Sequence, residues 1–180
     1  MSLFRNPFFR FLLVGTALYV CWYFLYELWL KPSTGFDDFV IGQIVTGSEW
    51  LLSAIGFTLY DRMEWNLAWN YLGIEGAQGV IVGAPCDGIV LFALFTIFVV
   101  AFPGPIKHKL WFIPAGFLSI HFINILRVAA LTIIDSINPA WLAFNHDYTF
   151  TIMVYAYVFL LWYVWVNKFS PLKKGSRTNA

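Results

Sequence analysis

A chain of 180 residues in which 60% are apolar and only 12% charged lies outside the composition of soluble domains and argues for an integral membrane protein. Its net charge of +1 implies no bulk attraction to nucleic acid. Two cysteines exclude a disulfide framework; Cys21, inside the first apolar run, reads as a small apolar filler, and Cys86 as a second free thiol.

Arg5 and Arg10 precede a long apolar run from Phe11 to Leu30. No small-residue cleavage site follows it, so it reads as a retained first transmembrane helix rather than a signal peptide. The segment Phe39–Tyr60 is interrupted by Gln43, Thr46, Gly47, Ser48 and Glu49. Thr46 with Glu49 three residues on resembles a capping box, which predicts two short helices lying in the outer interface instead of a span. Asn70–Ile74 and Val80–Val82 flank a glycine-rich turn and predict a small hairpin that delivers Gly83-Ala84-Pro85 to Cys86. Pro85 suits a helix start. A thiol there would stand at the positive end of the following helix dipole, which favours thiolate.

The expected fold is therefore an all-α polytopic membrane protein of about four spans with outer-face interfacial helices and the hairpin, since a span takes ~20 mainly apolar residues. The spans fall at about 9–30, 86–103, 110–134 and 148–167, with residues 31–85 on one face. Residues 1–172 would form a single membrane domain, followed by a polar tail at 173–180. Basic residues gather at Arg5, Arg10, Lys107, Lys109, Lys168, Lys173, Lys174 and Arg177, which assigns that side to the cytoplasm. Four spans then put both termini inside and Cys86 and His146 outside.

Arg127 is the costly residue, because a charge within the bilayer costs on the order of 2.5–3.5 kcal/mol on insertion scales. It lies ~10 Å from the outer end of its helix at helical rise, within snorkelling reach. His121, Asn124, Arg127 and Asp135 nevertheless share one broad face, which marks the inward side of the helix. Asn124 would position Arg127 or join helices. His121 reads as a satisfied core histidine, and His108, between two lysines, as a solvated one. His146, between Asn145 and Asp147, can exchange protons near neutral pH. One cysteine, one exposed histidine and scattered carboxylates show no zinc-ligand spacing, so neither metal nor cofactor is expected.

Three motifs in order carry a resemblance to the exosortase/archaeosortase family of polytopic membrane cysteine transpeptidases. Ala84-Pro85-Cys86-Asp87-Gly88 is similar to the family's cysteine-x-glycine element, Asn124-Ile125-Leu126-Arg127 to its Asn-x-x-Arg element, and His146 to its third position. The resemblance covers about Tyr71 to Val166. It implies Cys86, Arg127 and His146 as catalytic residues, with Asn124, Asp87 and Gly88 supporting or binding substrate. It also implies a multi-pass protein of a prokaryotic cytoplasmic membrane, with its active site on the outer face. The chain departs from the family in carrying Asp87 where serine is usual; a neighbouring carboxylate disfavours a thiolate. It is also more compact than larger members.

The expected function is membrane-embedded cysteine peptidase and transpeptidase chemistry on the C-terminal sorting signals of secreted proteins. Cys86 would form a thioester, Arg127 would stabilise the thiolate or the oxyanion, and His146 would protonate the leaving amine. The partners would be a secreted protein with a C-terminal transmembrane sorting signal, the lipid bilayer, and an acceptor lipid or glycan, with no nucleic acid. A non-enzymatic scaffold for surface polysaccharide or protein export is the alternative from another class, and a membrane thiol acyltransferase is a third. A transporter fits least, for want of repeats or broken-helix pairs.

Overall fold

The structure, a computed structural model, describes residues 6–170. Arg5, Lys173, Lys174 and Arg177, which carry part of the charge argument, and the expected tail lie outside the described residues. The fold is mostly helical with one two-stranded hairpin, and the chain divides into two compact units.

Among the described residues three helical stretches are long and apolar enough to cross a membrane: Phe8–Leu30, Ile106–Ile137 and Pro139–Phe169. The first is built on α1 (Pro7–Leu25), opened by Asn6, whose side chain accepts from Phe8 N, and extended by a π-helical turn at Tyr26–Leu30. The second is α4 (Ile106–Ile137) and the third contains α5 (Phe150–Val164). The fourth apolar helix, α3 (Ile89–Ala101), has 13 residues, which is ~20 Å at helical rise against a hydrocarbon core of ~30 Å. It does not begin at Cys86 as expected. Gly88, at φ +78°, breaks the helical path, so Cys86 closes a separate 3-10 turn at Ala84–Cys86.

One unit comprises residues up to Thr34, Ile89–Ser119 and the chain from Ala156. Aromatic rings fill it. Phe11 meets Phe98 and Phe102 edge-on, each at 5.4 Å, and Phe98 stacks on Trp162 at 4.5 Å. Such pairs add ~0.5–1.5 kcal/mol each beyond the area they bury. Trp165 is fully buried against Phe112 and Phe169. His108 packs on Phe169 at 5.1 Å and is half-buried, where solvation between lysines was expected. Cys21 is exposed on α1, not an interior filler, because α1 turns most of its surface outward.

The other unit comprises Gly35–Gly88 and Ile120–Tyr155. Its first element corrects the expectation of two short helices: α2 (Phe36–Ala54) is one helix of 19 residues. Asp37 and Asp38 sit in its first turn, where carboxylates favour the positive helix end. Thr46 lies mid-helix, and Glu49 caps nothing; it pairs with Arg62 at 3.1 Å. The polar interruption is a close-contact surface instead. A Cβ on Gly47 would meet Ile125 Cδ1 at 2.7 Å, and Ser48 Oγ donates to Ile125 O at 3.1 Å. Small residues let two helix backbones approach, and Val40, Ile41, Ile44, Val45 and Leu52 are buried along the same helix.

The loop after α2 is tied back by Arg62, which also donates to Trp69 O at 2.8 Å. The hairpin forms as expected, β1 (Tyr71–Leu72) antiparallel to β2 (Val80–Ile81), with Tyr71 opposite Ile81 and Leu72 opposite Val80. An isolated bridge from Leu59 to Ile74 continues β1 on its other side, leaving β2 at the edge. The turn of the hairpin is fastened to α4, where buried Asp135 accepts from Gly79 N at 2.7 Å.

Candidate active site

Every residue expected at the site lies in the second unit, on three pieces of chain. The hairpin leads into the 3-10 turn that carries Cys86. The α4 stretch after Ile120 carries Asn124 and Arg127. A π-helical turn at Asn145–Thr149 carries His146.

Cys86 Sγ lies 3.2 Å from His146 Nε2. The other ring nitrogen, Nδ1, is 2.8 Å from Asp147 Oδ1. A carboxylate accepts, so Nδ1 carries the proton, and in the neutral form of the ring Nε2 presents a lone pair toward the thiol. Cysteine, imidazole and carboxylate thus form a hydrogen-bonded chain of the kind that activates a nucleophile and orients its base. The sequence places Asp147 beside His146 without pointing to a role for it. The signal was a carboxylate next to the histidine, and neighbours in a regular helix do not face one another.

The π turn supplies that geometry. Wide turns occur mostly as single insertions in α-helices, often at functional sites. The carbonyl of His146 is used twice: Thr151 Oγ1 donates to it at 3.0 Å and Arg127 Nη2 at 3.5 Å. Arg127 is 8% exposed, which removes simple snorkelling as the account of its position. Its Nε is buried and has no hydrogen-bond partner among the described residues.

Asn124, fully buried, donates from Nδ2 to Asp87 O at 3.4 Å. Asp87 is buried beside Cys86. Gly88 is required twice over. Its φ of +78° is one that side-chain-bearing residues rarely adopt, and a Cβ there would collide with Asn124 Nδ2. The cysteine-x-glycine and Asn-x-x-Arg elements are therefore in direct contact.

The electrostatics differ from the helix-dipole expectation. Burial pushes the Cys86 thiol up, the Arg127 charge pulls it back down, and the Asp87 carboxylate raises it again. A backbone hydrogen bond of Gly83 also lowers it, and the net direction is upward, toward the thiol form. Gly88 separates the 3-10 turn of Cys86 from α3, so the cysteine does not sit in the first turn of that helix.

A cavity of about 580 Å³ opens beside these groups, walled by Cys86, His146 and Asp147, by Val128 and Leu131 of α4, and by β2. Among the described residues no group of three or more His, Cys, Asp or Glu side chains is arranged to hold a metal ion. Of the remaining candidates, His121 is half-buried on α4 and is not part of the hydrogen-bonded chain of Cys86, His146 and Asp147.

Fold and site define a helical protein of membrane-crossing composition that carries a cysteine–histidine–aspartate chain beside a cavity. No protein-family model matches the chain, and no curated protein or solved structure matches it either.

Proposed function

We propose that this protein is a membrane-embedded cysteine peptidase and transpeptidase acting on C-terminal sorting signals of secreted proteins. The observation that carries the reading is the 3.2 Å approach of Cys86 Sγ to His146 Nε2, with Nδ1 held by Asp147 at 2.8 Å. The thiol is raised by burial, so proton transfer accompanies attack instead of preceding it. His146 Nε2 takes the thiol proton as sulfur bonds to the peptide carbonyl carbon. Arg127 offsets the negative charge that passes from sulfur to the carbonyl oxygen, as fixed positive charge does in such sites. Collapse of the tetrahedral adduct breaks the C–N bond, and His146 returns the proton to the leaving amine. The thioester then passes its acyl group to an acceptor hydroxyl, amine or water, deprotonated by the same imidazole.

In this reading α3 is a fourth, short span, both termini are cytoplasmic, and the site opens at the outer face of a prokaryotic cytoplasmic membrane. The three membrane-length helices and the resemblance of the three motifs to the exosortase/archaeosortase family support it. Co-expression with a secreted protein bearing a C-terminal transmembrane segment tests it. Processing should stop in Cys86→Ala and His146→Ala; undiminished processing by Cys86→Ala would rule out the nucleophile. The burial of Cys86, which pushes its thiol up, is what favours a scaffold. A scaffold would keep its function in Cys86→Ser and lose it in Arg127→Leu.

A further inference from the structure

The outer side of β2 borders the Cys86 cavity, and the register settles which of its backbone groups point there. Val82 N donates to Asn70 O at 3.0 Å, across the strand pair. Hydrogen-bonded and non-bonded pairs alternate along an antiparallel ladder. Tyr71 opposite Ile81 is therefore the non-bonded pair, and Ile81 turns both its N–H and its C=O away from β1. Neither group has a partner among the described residues. The neighbouring positions on that side are partly engaged. Gly79 gives its N–H to Asp135 at 2.7 Å, and Gly83 gives its C=O to Cys86 N at 2.8 Å. Ile81 thus presents one donor and one acceptor on a strand that lines the same cavity as Cys86 and His146.

We propose that this edge is the peptide-binding site: an extended substrate segment adds as a further strand on β2, pairs with the backbone of Ile81, and runs on to Cys86. Strand addition uses main-chain hydrogen bonds for affinity and pockets for alternate side chains for selectivity. The facing wall of Val128, Leu131 and Leu142 would take every second side chain, which selects apolar residues there. An acyl chain could fill the same wall but would leave the donor and acceptor of Ile81 buried and unmet, which disfavours it. An edge strand left open is also a pairing liability unless something covers it. The occupant rests on the peptidase reading above; the open edge does not.

The experiment uses the full chain as Cys21→Ala in detergent, with Cys86 coupled by disulfide to acetyl-Thr-Val-Thr-Val-Cys-amide. Two analogues are N-methylated at both threonines or at both valines, which blocks one strand edge each, and cysteamine is the small control. Amide hydrogen exchange of the segment containing Ile81 is read in each adduct. The parent peptide should slow exchange about fivefold or more, as one added hydrogen bond would, and at least one analogue should lose that slowing. Equal slowing by all three peptides would mean bare occlusion of an apolar cavity and would overturn the proposal, as would slowing by none. A cavity that couples cysteamine but not the peptide, or neither, overturns it too. Disulfide coupling needs only a reachable thiol, so the result stands apart from the processing assay, which decides whether Cys86 acts in turnover.

Discussion

The amide of Asn124 occupies the place where the side chain of any residue but glycine at position 88 would begin. Two sequence motifs 36 positions apart are thereby one structural joint. Gly88→Ala forces a left-handed conformation on a residue with a Cβ, at ~1–2 kcal/mol, and must also displace Asn124 from the carbonyl of Asp87. The expected result is a lower thermal midpoint in detergent together with loss of processing. An unchanged midpoint would show that the joint yields freely.

Four influences set the Cys86 thiol, and their signs differ. Burial and Asp87 raise it, while Arg127 and a backbone hydrogen bond of Gly83 lower it. At any pH below its midpoint, wild type therefore holds less thiolate than an ordinary cysteine, and its alkylation by iodoacetamide should climb only at more alkaline pH. Asp87→Asn removes a raising influence, so its profile should move to lower pH. Arg127→Gln removes the lowering charge, so its profile should move higher. Shifts of the same sign in both variants would contradict this account.

Asp147 holds the proton-bearing nitrogen of His146. Asp147→Asn keeps the size and can hold the ring in the opposite tautomer, with the proton facing the thiol. General-base assistance is worth ~10²–10⁴-fold, and processing should fall by a comparable factor in Asp147→Asn. The thermal midpoint should hardly move, because Asp147 is an exposed side chain.

Asp135 anchors the hairpin turn through Gly79 N. A hydrogen bond to a charged acceptor contributes ~1.5–3 kcal/mol. Asp135→Ala should lower stability by about that much and speed proteolytic cleavage within 75–80. Normal protease resistance in this variant would place the anchor elsewhere.

Much of this was legible in the sequence because it rests on local pattern. The glycine-rich turn between β-favouring runs pointed to the hairpin, and the spacing of His121, Asn124, Arg127 and Asp135 to the inward face of α4, where all but half-buried His121 are buried. Other features depend on partners distant in the chain. Gly47 and Ser48 look like a helix break until Ile125 is seen against them. Cys86 looks like a helix start until Gly88 is seen at positive φ. Asp147 was hidden for another reason: its role requires a departure from α-helical geometry, which side-chain periodicity does not reveal.

The π turn at Asn145–Thr149 has a genetic corollary. Such a turn is one residue more than the α-helix around it needs, and each residue is worth ~100° of rotation. Removing the Thr149 codon would shorten the turn toward α-helical pitch and swing the imidazole by about that angle relative to α5. The approach of His146 to Cys86 thus depends on a single residue of helix length.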